Sequence, residues 1–173
     1  MKMIIWKLIA AIIFFLPIVV FGADRMKYLG TTKTDPARLC IALGKKFPLN
    51  IVEFRKLGHL VKESVRPDSD YCYEPSNKCQ IYNLDYDGLN LQLIEQEPGQ
   101  TAYVLTLKLT KSKWNILEVV RVGQKISDLE TYFGVTIPNN VSPIGLIGEA
   151  LAIEVEHKNG IVTGLYLDCQ AGT

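Results

Sequence analysis

The side chains able to do chemistry are few and scattered. The chain carries two histidines, His59 and His157, and four cysteines, Cys40, Cys72, Cys79 and Cys169. Acid–base catalysis needs such a group within reach of a second reacting group, and no acid or nucleophile is spaced around either histidine. Neither a G-x-S-x-G elbow nor an H-E-x-x-H helix occurs. Asp85 and Asp87 fall on one strand face, but beside a turn, where two carboxylates read as solvated. Gly123 opens a helix whose first amides could hold an anion, yet it stands without further glycines, and Asp128 and Glu130 follow in the helix's early turns. The set points away from an enzyme, and to no cofactor and no metal.

The cysteines read as disulfides, because an even count in an exported chain usually does. No C-x2-C spacing suggests zinc. Four cysteines allow three connectivities. Cys72 and Cys79 flank the short polar segment YEPSNK, whose closure is easy, which leaves Cys40 with Cys169.

Export is read from the amino end. Lys2 and Lys7 precede an apolar run from Leu8 to Val20, interrupted by Pro17, and Val20-Phe21-Gly22-Ala23 ends in small residues for cleavage. This is the layout of a signal peptide over residues 1–22, cut after Gly22 or Ala23. The run is short for an uncleaved span, which needs about 20 apolar residues. Removing both lysines takes the formal charge from +1 to 1 − 2 = −1, a balance that offers no attraction to nucleic acid or anionic lipid. The expected location is periplasmic or secreted, with no membrane anchor after cleavage. Residues 24–173 then make one domain with enough chain for a core. An early Gly–helix–Gly pattern echoed late in the chain suggests two helix-plus-hairpin halves, 24–115 and 116–173.

These residues must be held by elements that the periodicity predicts. Asp35-Pro36 starts a helix with Leu39, Leu43 and Phe47 on one face. A second short helix reaches Lys56, and a weak strand follows from His59 to Val65. QIYNLDYDGLNLQLIEQ reads as a hairpin turning at Asp87-Gly88, and TAYVLTLKL as the strongest strand. Ser127 and Asp128 are expected to cap a helix carrying Leu129, Tyr132 and Phe133, stopped by Gly134. A last hairpin turns at Asn159-Gly160, and its alternation puts Cys169 toward the helices. The predicted fold class is α+β: an antiparallel sheet of meander and hairpins, two or three short helices on one face, stapled by disulfides.

The segment from Val135 to Glu149 is the candidate contact surface. Ile137, Val141, Ile144, Leu146 and Ile147 are interleaved there with Pro138, Pro143, Gly145 and Gly148. So long an apolar loop is either core or reserved for a partner. The expected partner-binding residues are Ile137, Ile144, Leu146 and Ile147, helped by Tyr71 and Tyr73 around Cys72 and by Tyr82 and Tyr86 of the first hairpin.

The order VGQKISDLETYFG, a loop, then a hairpin ending NGIVTGLYL resembles the helix-on-sheet modules of β-lactamase-inhibitor proteins and of the small lipoprotein of the outer-membrane β-barrel assembly machinery. Val122, Gly123, Ser127, Asp128, Leu129, Phe133 and Gly134 carry the likeness, over residues 119–169. The chain lacks the lipoprotein's lipidated cysteine. The resemblance implies a non-enzymatic module that binds another protein. The expected function is an inhibitor or immunity protein that occludes a toxin or a cell-wall-degrading hydrolase; the alternatives are an assembly factor docking on an envelope complex and a small-ligand carrier.

Overall fold

A computed structural model describes residues 27–29, 37–47, 50–67, 78–147 and 152–169. The elements in chain order are β1 (Lys27–Leu29), α1 (Ala37–Lys46), α2 (Ile51–Arg55), β2 (Leu60–Pro67), β3 (Gln80–Tyr86), β4 (Leu89–Glu95), β5 (Ala102–Leu109), α3 (Ile126–Phe133), β6 (Ile144–Ile147), β7 (Ala152–Lys158) and β8 (Ile161–Asp168). The strands form one sheet in the order β1-β6-β7-β8-β5-β4-β3-β2. All neighbours are antiparallel except β1, which runs parallel to β6. Two meanders, β2–β5 and β6–β8, thus join where β5 meets β8.

Alternation along each strand becomes transverse rows across the sheet, because side chains in register share a face. One inner row runs Tyr86, Leu89, Leu109, Leu165, Val155, Ile144; the next runs Leu84, Leu91, Leu107, Leu167, Ile153, Leu146. Every one of these is buried. The helices close over them with Leu39, Leu43 and Phe47 of α1 and its last turn, Ile51 and Phe54 of α2, and Ile126, Leu129 and Phe133 of α3. The α+β architecture with helices on one face is therefore as the periodicity predicts.

The staple is also as predicted. Cys40 on α1 is bonded to Cys169, just past β8, with Cα atoms 5.8 Å apart. Cys79 is disulfide-bonded as well; Cys72, and with it the predicted Cys72–Cys79 loop, lies outside the described residues.

Local chemistry departs from expectation in three places. Helix α3 begins at Ile126, with Lys125 at the cap position and no side-chain cap bond, so Ser127 and Asp128 do not cap it. The Ile126 amide is instead satisfied by the Gly160 carbonyl at 2.9 Å, and Gly123 and Gln124 exchange hydrogen bonds with Val162. Docking onto the last hairpin supplies what a capping side chain would have given. Gly134 ends the helix in the left-handed conformation, φ 66°, as expected. At the turns, Asn159 and Gly160 both take positive φ, 52° and 73°, whereas at Asp87-Gly88 only the glycine does. Finally, β2 runs from Leu60 to Pro67, and residues 144–147, expected as loop, form β6.

Candidate interaction surface

The buried rows decide the fate of the predicted contact residues. Ile144 and Leu146, both 0% exposed, are inner-row residues of β6, and Ile137 is 3% exposed. The Ile137 amide donates to Glu130 Oε1 of α3 at 2.7 Å, which holds the segment against the helix. These three residues are core, and the reading of residues 135–149 as a displayed apolar plug is corrected accordingly. β6 lies between β1 and β7, which satisfy its backbone, and in that register Ile144 and Leu146 face the core. Ile147 ends β6 opposite Ala152; its side chain, like Tyr71 and Tyr73, lies outside the described residues.

Tyr82 and Tyr86 are likewise inward rather than displayed, because Tyr82 pairs with Leu93 and Tyr86 with Leu89, so both arms of the hairpin put their apolar sides on one face. Each phenol finds a buried partner, as such groups must. Tyr86 Oη donates to the Phe54 carbonyl at 2.5 Å. Tyr82 Oη donates to Glu95 Oε2 at 2.7 Å, and the Gln80 side-chain amide, 2.6 Å from the same oxygen, is best oriented with its N–H toward it, since a phenol has one proton. Glu95 is itself buried, and its other oxygen accepts from the Gly99 amide at 2.9 Å, fixing the β4–β5 turn. Burial raises both phenols to about 12, aided in Tyr82 by the hydrogen bond to the Glu95 carboxylate.

The histidines are far apart in role. His59 is exposed at the entry to β2. His157 is 6% exposed on β7, and its Nε2 donates to the Val141 carbonyl at 2.6 Å while its amide donates to Ser142 Oγ at 3.0 Å. Its Nδ1 is buried without a hydrogen-bond partner. His157 therefore pins the segment between α3 and β6 to the sheet. Among the described residues no group of three His, Cys, Asp or Glu side chains could hold a metal ion.

Among the described residues, exposed polar side chains line much of the other side of the sheet, away from its buried end at Ile81 and Ile94. The outer face carries two polar rows in register. The first is Lys62, Asp85, Asn90, Lys108, Tyr166, Glu154, and the second is Ser64, Asn83, Gln92, Thr106, Asp168. All are partly or fully exposed. Cross-strand hydrogen bonds order them: Asn90 Nδ2 donates to Asp85 at 2.7 Å, Gln92 Nε2 to Asn83 at 3.0 Å, and Asn83 Nδ2 to Ser64 at 3.3 Å. Partial burial, with Asp168 and Glu154 adding negative potential, raises the Tyr166 phenol. Tyr103, opposite Ile94, is 53% exposed, beside a small buried cluster of Cys79, Ile81, Ile94 and Leu105 that includes no helical residue. The same alternation that marked the core marks this face too: each of Asn83, Asp85, Asn90, Gln92, Thr106 and Lys108 sits beside a core residue in sequence. The expected contact residues lie instead on the apolar segment 135–149 and on inward-facing tyrosines of β3.

Among the described residues no helix is long and apolar enough to cross a membrane. None of the family models, curated proteins or solved structures with which the chain was compared matches it.

Proposed function

We propose that the protein is a non-enzymatic, exported protein-binding protein, acting in the periplasm as an inhibitor or immunity protein. Its outer sheet face covers the cleft of a toxin or wall-degrading enzyme. The observation that carries the reading is that face, with Tyr166 within its polar rows and Tyr103 beside them. Tyrosine supplies large contact area at small entropic cost, and surrounding amides and mixed charges supply directional pairing.

From β2 to β7 the sheet has five inter-strand spacings, about 24 Å, and strands of about 23 Å, so the face offers at most roughly 550 Å². That is below the roughly 800 Å² per partner of a standard interface, so the face would form the centre of the contact and residues around it the rest. Because the β2–β4 part of the rows is already held by hydrogen bonds, docking there costs little further ordering. The Cys40–Cys169 bond is consistent with work in an oxidising compartment, as the signal-peptide reading of residues 1–22 expects.

The test is affinity capture from a periplasmic extract, with the wild-type chain and the face variant Tyr103→Asp/Lys108→Glu as baits. The reading expects a hydrolase or toxin on the wild type and its loss on the variant. An empty wild-type bait, or full capture by the variant, refutes it. Capture of an envelope complex, with leaky outer membranes in a deletion strain, would move the assignment to assembly.

A further inference from the structure

We propose that the shallow cleft beside Trp114 is a binding site for a single carboxylate carried on a short aliphatic stem. The cleft, about 180 Å³, is lined by Gly58, His59, Asp87, Lys113 and Trp114, drawn from the α2–β2 turn, the β3–β4 turn and the segment after β5. It lies apart from the outer sheet face and does not depend on the protein-binding proposal.

The wall is held in place before any ligand arrives. Trp114 Nε1 donates to the Asp87 carbonyl at 2.8 Å, and its ring meets Tyr86 edge-on at 5.6 Å. Gly58 lies so close that a Cβ there would come within 2.9 Å of the indole. The turn can lie against the ring only because that residue has no side chain.

Charge selects the ligand. Asp87 bridges two ammonium groups, Lys111 at 2.5 Å and Lys113 at 2.9 Å. Two cations on one carboxylate leave the group at 2 − 1 = +1, with the His59 imidazole alongside. Each lysine has three donor protons, and the Asp87 bond uses one on each. Lys113 Nζ also stands 5.5 Å from the Trp114 ring centroid, so an anion meeting the ammonium would rest its stem on the indole. The cleft is shallow and open to solvent, and the indole is the apolar wall among its lining residues, so a short stem is enough to make that contact.

The test follows the indole N–H cross-peak of Trp114 in ¹H–¹⁵N NMR of the full chain, identified by its loss in Trp114→Phe. Titrants are propionate, N-acetyl-glutamate N-methylamide and its glutamine counterpart, at constant ionic strength. The proposal expects saturating shifts with both acids in the millimolar range, and binding weaker by about ten-fold for the glutamine compound and for Lys113→Met. Gly58→Ala should displace the indole peak and weaken both acids. Tighter binding of the glutamate compound identifies an acidic side chain of a polypeptide as the source, and equal or tighter binding of propionate a free small acid. No saturation with either acid up to roughly 50 mM, equal binding of the glutamine compound, or unchanged binding by Lys113→Met overturns the site.

Discussion

Replacing both Cys40 and Cys169 with alanine should cost this domain a large part of its stability. The bond closes a loop of 129 residues. The chain-entropy relation gives about 5 kcal/mol for a loop of that length, against a total of roughly 5–15 kcal/mol for a typical domain. Enthalpic relaxation reduces the measured value, so the expected loss is about 3–5 kcal/mol. The folded state should survive in the variant, because α1 remains bound by Leu39 and Leu43, both nearly fully buried. Urea unfolding followed by far-UV circular dichroism reads the effect. With a slope of about 2 kcal/mol per molar, the midpoint should fall by about 2 M, and the slope should rise as the unfolded chain expands. A loss below about 1 kcal/mol with an unchanged slope would refute the reasoning, since it would mean that the bond leaves the unfolded ensemble unconstrained.

Adjacent residues on β5 should separate the two faces of the sheet. Leu107→Ala, at the centre of an inner row, should lose about 2–5 kcal/mol, and Lys108→Ala, exposed on the outer face, should change stability by no more than about 0.5 kcal/mol in the same urea assay. The phenols of Tyr82 and Tyr86 are raised to about 12, whereas those of an unfolded chain ionise near 10. Between those values the unfolded state holds fewer protons. Their stabilisation is complete below about pH 10 and is lost as pH rises toward 12, and urea midpoints across that window should fall, less steeply in Tyr82→Phe. His157→Leu removes the donor to Val141 and leaves a carbonyl unsatisfied, at a cost of about 1–3 kcal/mol, and limited proteolysis should then cut faster within residues 138–142.

The local pattern determined most of the elements and, through short turns, the neighbours β3-β4-β5 and β7-β8, but not how these groups join in the sheet. Spacing placed Leu39, Leu43 and Phe47 on one helix face, alternation marked β3 to β5 and β8, and Asn159-Gly160 announced its turn because few residues accept positive φ. Parity along β8 even aimed Cys169 at α1. These are short-range signals, set by the geometry of one element. Tertiary structure decided what depends on partners distant in sequence. Residues 144–147 are a strand only because β1 and β7 flank them, and without those backbone partners the same apolar residues read as a loop awaiting a ligand. Tyr82 and Tyr86 point inward because cross-strand register puts them beside Leu93 and Leu89 under α2. The first amide of α3 is satisfied by a carbonyl 34 positions later (160 − 126), which no capping rule can see. Which polar residues assemble into a face is fixed only when β5 pairs with β8, since that contact joins the two meanders into one surface.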